Sequence, residues 1–501
     1  MLDFNCLNFC KKMITNFFYL FFSLSSAQVD LIIVLCALAI MPTLSLLANT
    51  AFGRNTFKKI YGDIEGAELR KFLILALAFG LAIAAYWSLR AVKDGYFNQM
   101  VGVDFVPKVK LLTVVFFSAI MFVFSSIVDK FEKHRLFLVV CSFYVLIFSV
   151  IALLDWLNLP TFEYFPFNII PGRATGWLYY LFVESLGGIL LGSVFWAFAA
   201  STTTIELATK GFPIIFIGGQ IGGVLGTTFV KRFVHQLGHP LTILCGTVPL
   251  ILLPFLIEYF IKTTPANLML CDKRIATEDV TSAKKSKIGA LAGLKLIVSQ
   301  PYLMGIMVVS TIYEIIGTII DFQFKKTAAG IYSKEFLTSY LASQGQALTI
   351  LSLIFALIGT SFVVRTLGVR ISLLGFPLIV IACVFAIFLK PTLTVFFVAM
   401  VSIKAFSYTL NSPVKEMLYL PTSTEVKYKA KGFIDGLGCK TSKAGGSAIT
   451  EIIRKYSGGS NLALLNIGTM VSFGIIGFWV VVAFNLGATY HNLVNKKQII
   501  E

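Results

Sequence analysis

An all-α polytopic membrane protein is what this sequence predicts, and three observations carry the prediction. Of its 501 residues 57% are hydrophobic and only 13% charged, with 47 Phe and a mean hydropathy of +0.84, against roughly 25% charged residues in an ordinary soluble domain. Apolar runs recur that reach the ~18–20 residues a helix needs to cross about 30 Å of hydrocarbon. Lysine and arginine collect in alternate loops, as they do when a membrane protein has a fixed orientation. A secreted domain, a fibrous protein and a peripheral enzyme are excluded. So is a transmembrane β-barrel, because stretches such as 241–261 are apolar on every face, whereas barrel strands alternate over about 10 residues.

Taken from the amino end, helices are expected near 29–49, 72–89, 109–128, 136–154, 177–199, 212–230, 241–261, 301–320, 344–364, 371–389, 392–410, 433–453 and 462–486. The segment 433–453 is the least apolar, since it carries Asp435, Lys440 and Lys443. Loops 50–71, 129–135, 200–211, 262–300, 365–370 and 411–432, with the tail 487–501, hold 24 Lys and Arg, and the intervening loops hold 11. The richer set is therefore cytoplasmic. The spans from 72–89 onward are then twelve with both ends inside, divided by the basic linker 262–300 into halves 72–261 and 301–486. That is the layout of the major facilitator architecture, whose substrate site lies near the bilayer midplane between the halves. The segment 28–71, an extra helix and its basic loop, is additional, and a cytoplasmic 50–71 places residues 28–30 outside. A signal peptide over 1–27 reconciles the two: Lys11 and Lys12 precede an apolar run from Met13 to Leu24, and Ser25-Ser26-Ala27 forms a small-residue cleavage pattern. An uncleaved interfacial helix or the first arm of a helical hairpin is the alternative.

The surplus of 42 Lys and Arg over 25 Asp and Glu, +17 in all, would suggest nucleic acid in a soluble protein. Here the cytoplasmic loops account for it, and no nucleic-acid partner is expected. Eight cysteines, mostly within apolar segments and without CxxC spacing, argue against a disulfide framework or a metal site. The four histidines, His134, His235, His239 and His491, fall in expected loops or the tail and form no ligand cluster. No GxxxxGK[ST] motif is present, so the chain carries no nucleotide-hydrolysing fold of its own. The glycine-dense tract Gly218–Gly223 lies inside an apolar span with no strand before it, and close helix packing by small residues is the better account.

Charged groups at membrane depth are costly and mark pathways or partners. Arg90, Lys93 and Asp94 close the helix 72–89, Lys108 and Lys110 open the next, and Glu184 sits in the middle of 177–199. Glu314, Asp321 and Lys325 follow along 301–324, Lys404, Lys415 and Glu416 lie around the span 392–410, and Asp435, Lys440 and Lys443 lie in 433–453. Individually such residues often pair with each other or snorkel to the interface. Jointly they form a cation excess contributed by both halves, which wants an anion. Arg90 and Lys93 are one helical turn apart and can share a face. A phosphate-bearing substrate suits the set, because arginine offers a planar fork and lysine a point charge. The expected substrate contacts are Arg90, Lys93, Lys110, Glu184, Asp321, Lys325, Lys404, Lys415 and Lys443. Asp94, Glu416 and Asp435 are expected to serve coupling or helix contacts, and no catalytic residue, cofactor or metal is expected.

At these residues the chain resembles the nucleotide transporters of plastids and obligate intracellular bacteria. Arg90-Ala91-Val92-Lys93-Asp94 matches the family's RxxKD, and Val106-Pro107-Lys108-Val109-Lys110-Leu111 its (I/V)PxxKL. Glu184 precedes Gly192-Ser193-Val194-Phe195-Trp196, Lys415-Glu416-Met417-Leu418-Tyr419-Leu420-Pro421 matches KEMAYIP, and Lys443-Ala444-Gly445-Gly446-Ser447 matches GKSGGS. The resemblance, over roughly 68–490, implies two six-helix halves working by alternating access, ATP and ADP as substrates, and roles in handling them for Lys93, Glu184 and Lys415. It implies a monomer in the inner membrane of an intracellular bacterium, with a plastid envelope as the second choice. Three departures stand out. Asp321 replaces a usual glutamate, Asn411-Ser412-Pro413-Val414 replaces F-D-x-T, and Ala200 replaces an asparagine. They leave open another nucleotide or nucleotide-like anion (GTP, UTP, NAD), or proton symport; the alternative of a different class is a non-transporting scaffold or receptor on the same fold.

Overall fold

The computed structural model describes residues 25–49, 64, 66–128, 130–157, 171–269, 296–358, 360–419, 421–422, 434, 438–458 and 460–496. The leader expected over 1–27 lies almost wholly outside these residues, as do most of the basic loop 50–71, most of the linker 262–300, and Asp435. The chain forms two units, 1–66 and 67–501. In the first, α1 (Ser26–Asn49) is an apolar helix. Its start is a reciprocal cap, in which Ser25 N donates to Gln28 Oε1 at 2.9 Å and Gln28 N to Ser25 Oγ at 3.4 Å. Ser25, read above as part of a cleavage pattern, thus also begins a helix-starting Ser-x-x-Gln signal.

The second unit is a bundle. Its first six helices are α2 (Gly66–Met100), α3 (Val106–Val128), α4 (Arg135–Trp156), α5 (Ala174–Leu186) prolonged through a widened π-helical stretch Gly187–Phe195 into α6 (Trp196–Ser201), and the two arms of α7 (Ile205–Thr263). The last six are α8 (Pro301–Ala329), α9 (Lys334–Ile358), α10 (Thr360–Leu389), α11 (Leu393–Phe406) prolonged through a second π-helical stretch Ser407–Asn411 into α12 (Ser412–Leu418), α13 (Cys439–Tyr456) and α14 (Asn461–Lys496). The fourth member of each half is therefore the one whose winding loosens. Ten helices among the described residues are long and apolar enough to cross a membrane. The sequence suggested thirteen; the two arms of α7, each a span, meet at a break at Gly238 and are counted together among the ten, α11 is cut short by its π-helical stretch, and α13 is amphipathic.

The turn within α7 follows from its contacts. Gly238 has φ 69° and precedes His239-Pro240, which breaks the winding. Before it, Gly211 lies against Phe72 and Gly226 against Ala84, so the first arm runs parallel to α2. After it, Gly246 lies against Leu89 and Tyr259 accepts a hydrogen bond from Arg70 at 3.4 Å, so the second arm runs back. The expected loop 231–240 is reduced to that single turn. The glycine tract acts as predicted for close packing: a Cβ on Gly218 would stand 2.3 Å from the carbonyl oxygen of Ala76, and one on Gly222 2.0 Å from that of Gly80. Backbone meets backbone there, as small residues permit between helices in lipid.

The halves meet along two seams, α7 against α9 and α3 against α13. An apolar cluster joins Phe97, Val109, Trp177 and Tyr180 of the first half to Ile319, Phe322, Ile453 and Leu464 of the second. The second half has its own core, in which Trp479 of α14 is fully buried against α8 and α10.

Candidate functional site

A cavity of about 440 Å³ lies between the halves, within the range of ~300–1,000 Å³ usual for ligand sites. The first half supplies Tyr86, Trp87, Arg90, Lys93 and Asp94 from α2, Lys110 and Phe117 from α3, and Tyr180 and Glu184 from α5, with Gly187 and Gly188 of its π-helical stretch. The second half supplies Tyr313, Glu314, Asp321 and Lys325 from α8, Lys404 from α11, Ser407 and Tyr408 from the second π-helical stretch, and Lys440 and Lys443 from α13. α9 completes the wall with Leu341, Gln344, Gly345 and Leu348. The two loosened stretches thus face the same space. A Cβ on Gly187 would meet the Tyr86 ring at 2.7 Å, and one on Gly188 the Phe117 ring at 2.4 Å, so the glycines admit those rings to the lining.

The charges divide into two groups. Four lysines have carboxylate partners. Lys93 donates to Glu184 and lies 4.0 Å from the centre of the Tyr180 ring. Lys325 donates to Asp321 Oδ2 at 2.7 Å and stands 2.9 Å from Asp94 Oδ2, and Lys110 donates to the same Asp321 oxygen at 2.8 Å. Lys443 lies 3.6 Å from Glu314, whose carboxylate also accepts from Tyr313 OH at 2.9 Å. The result is a chain of charges, Asp94–Lys325–Asp321–Lys110, that crosses from one half to the other and back. The pairing of Asp321 with Lys325 is the one-turn contact their spacing allows. The sharing with Lys110, 211 positions earlier than Asp321, is invisible in the sequence.

Three cations form the other group. Arg90, Lys404 and Lys440 make no ion pair within 4 Å among the described residues, so the seven basic and four acidic side chains of the lining leave a formal surplus of three. Arg90 donates to Tyr86 OH at 2.5 Å, and its guanidinium lies 5.2 Å from the Trp87 ring and 5.5 Å from the Tyr86 ring. Lys440 sits over the face of Phe117. These aromatic faces supply weak cation–π partners and leave further N–H donors for an oxyanion.

A family model described as the TLC ATP/ADP transporter matches residues 48–398 and 384–490. This chain belongs to that family. Among curated relatives, it is 21% identical over 486 residues to ADP,ATP carrier protein 1 of Rickettsia typhi, covering 88% of this chain and 97% of the relative. It is 23% identical over 488 residues to ADP,ATP carrier protein 4 of Rickettsia bellii, covering 86% and 92%. Among solved structures, it matches a bacterial homologue of the human lysosomal transporter Spinster, in an inward-facing unoccupied conformation, at a TM-score of 0.54 and 13% identity, over 86% of this chain and 99% of that one. The nucleoside transporter NupG matches at a TM-score of 0.53 and 14% identity, over 85% and 99%. At such identities these two show the fold, which is that of the major facilitator transporters.

Within this TLC family member, nine of the twelve expected functional residues line the cavity: Arg90, Lys93, Asp94, Lys110, Glu184, Asp321, Lys325, Lys404 and Lys443. Lys415 and Glu416 do not. They lie on α12, about three turns past Lys404 and beyond the π-helical stretch. Asp435 falls outside the described residues. Arg90, Lys93 and Asp94 do not end their helix, since α2 continues to Met100. His239 stands at the turn between the two arms of α7. It is buried, 2% exposed, with Nε2 2.8 Å from Thr338 Oγ1 across the α7–α9 seam. His235 likewise lies in α7, and His491 in α14. Sequence reading missed the aromatic lining and Gln344, since an aromatic or amide side chain in an apolar helix lacks the contrast that makes a charge conspicuous.

Proposed function

We propose that this transporter exchanges ATP for ADP across the inner membrane of a bacterium, by alternating access and as a monomer, with no covalent step. The observation that carries the reading is the set of three cations without carboxylate partners, drawn from both halves and facing one cavity. The relatives named as ADP,ATP carriers of Rickettsia support it. A polyphosphate is the ligand that such a set satisfies, through charge-assisted hydrogen bonds from the Arg90 fork and the Lys404 and Lys440 ammonium groups. Phosphate bound there draws the halves together, because Arg90 belongs to the first and the two lysines to the second.

The halves are already joined at one end. The hydrogen bonds Lys110–Asp321, Lys326–Asp104, His239–Thr338, Ser339–Lys231, Lys231–Gln346 and Gln346–Thr228 and the Lys325–Asp94 ion pair join them, and of these Lys326–Asp104, His239–Thr338 and Ser339–Lys231 lie toward the loops assigned to the outside by the basic-residue count. In the proposed cycle these contacts part when the cavity opens outward. The shared acceptor Asp321 holds two lysines, which supports exchange without proton coupling over the reading in which Asp321 takes up a proton.

The test is uptake of labelled nucleotide into cells expressing the protein, with and without ADP loaded inside. Exchange predicts uptake that rises with internal ADP and does not change between mildly acidic and mildly alkaline buffer. Correctly inserted protein that moves no purine or pyrimidine nucleotide would sink the proposal and leave the scaffold reading. Uptake that follows an imposed proton gradient, with internal ADP without effect, would favour symport.

A further inference from the structure

We propose that Gln344 reads the edge of the nucleobase and gives the carrier its preference for adenine over guanine; this rests on the nucleotide-transport reading above. Gln344 lies on α9, lines the cavity, and is 9% exposed. Its Nε2 is buried with no hydrogen-bond partner among the described residues. A buried amide left unsatisfied is costly and uncommon. The neighbouring glutamines show the contrast. Gln346, two positions on, accepts from Lys231 at 3.0 Å and donates to Thr228 at 2.8 Å. Gln323 on α8 donates to the carbonyls of Leu464 and Leu465, both at 3.3 Å. Of these three, only the glutamine that faces the cavity is left without a partner of its own.

Its surroundings suit a base. The other lining residues of α9, Leu341, Gly345 and Leu348, are uncharged. Across from them the Trp87 indole is held between α7 and α9 where two glycines leave room: a Cβ on Gly345 would stand 3.2 Å from it and one on Gly223 3.3 Å. This wall is flat, apolar and fixed, with one amide in it, whereas Arg90 one turn on from Trp87 begins the cationic wall. Base at the α9 wall and phosphates at the cations match a ligand that is charged at one end only. A carboxamide presents a donor and an acceptor side by side, which pair with the adenine N6 amino group and N7. The same edge of guanine offers two acceptors, O6 and N7, and leaves the amide oxygen facing another oxygen.

The test is competition by unlabelled ADP and GDP against labelled ATP uptake, in cells with matched surface amounts of wild type, Gln344→Leu, Gln344→Glu and Lys404→Ala. Wild type should favour ADP over GDP at least about tenfold, the scale of one good bidentate base contact. Gln344→Leu should remove most of that ratio. Gln344→Glu, nearly isosteric and so a guard against simple misfolding, should shift the ratio toward GDP, because a carboxylate accepts from guanine N1–H and N2–H2 but repels adenine N7. Lys404→Ala should weaken both nucleotides alike and keep the ratio. A wild type that does not discriminate, or glutamine variants that keep the wild-type ratio, overturns the role of Gln344 while nucleotide transport stands. A wild type that takes up no nucleotide overturns both.

Discussion

Two regions of one cavity hold the same kinds of side chain to opposite effect. At the closed end Lys110 and Lys325 converge on Asp321, Asp94 adds its carboxylate, and the charges nearly cancel. Toward the middle Arg90 and Lys440 lie against aromatic rings, and neither they nor Lys404 has a carboxylate within 4 Å among the described residues. A buried ion pair is weak evidence for stability in itself, yet removing one member is strongly damaging. An unpaired cation has no such partner to lose. Under the proposed transport reading, the difference separates groups that hold a conformation from groups that hold a substrate.

The largest effect should come from breaking the paired region. Asp321→Asn leaves Lys110 without a carboxylate and should cost the closed form about 3–5 kcal/mol, seen as a fall in melting temperature of purified protein. Adding Lys110→Met should restore much of the loss. A double variant no more stable than Asp321→Asn would show that the network does not hold the halves. Next, Lys404→Ala should leave melting unchanged and weaken apparent nucleotide affinity roughly ten- to a hundredfold, the worth of a charge-assisted contact of about 1.5–3 kcal/mol. Lys415→Ala should have the smaller effect of the two, and the opposite ranking would mean that α12 rotates into the cavity during the cycle. Arg90→Lys keeps the charge but loses the planar fork, and should cost about tenfold in affinity; an unaltered variant would make Arg90 an anchor. The smallest effect is expected at Lys326–Asp104, 2.7 Å apart but with Asp104 46% exposed, where Lys326→Ala should cost no more than about 1 kcal/mol.

Much of this site was legible in the sequence because charge inside an apolar window is anomalous, whatever the fold. Lys93, Glu184, Asp321 and Lys404 could be picked out that way, and the halves by counting basic residues in loops. What could not be read was who pairs with whom. Lys110 and Asp321 belong to different halves, and nothing local to either predicts the meeting. Lys415 shows the converse: its place in a motif says that it matters to the family, and only the fold says which side of its helix it occupies. Tyr86 and Trp87 were silent for a third reason, since hydropathy patterning asks whether a residue suits a membrane helix and these aromatic residues do, while Gln344 was passed over because only formal charges were sought. Both π-helical stretches were silent too, because an extra residue per turn is a property of winding that apolar composition does not record.

The seam between α2 and the first arm of α7 has a mechanical consequence. With glycines at 80, 218, 222 and 226 letting one backbone rest on the other, no layer of side chains is left to slide or be compressed, and the pair behaves as a stiff beam. Trp87, Arg90 and Lys93 are mounted on that beam. Their spacing is then set like marks on a ruler, and the cavity changes size only by movement of the walls opposite. A methyl group at Gly222 is a wedge driven into the beam, and its effect will be felt further along α2 as a misaligned site rather than as an unfolded protein.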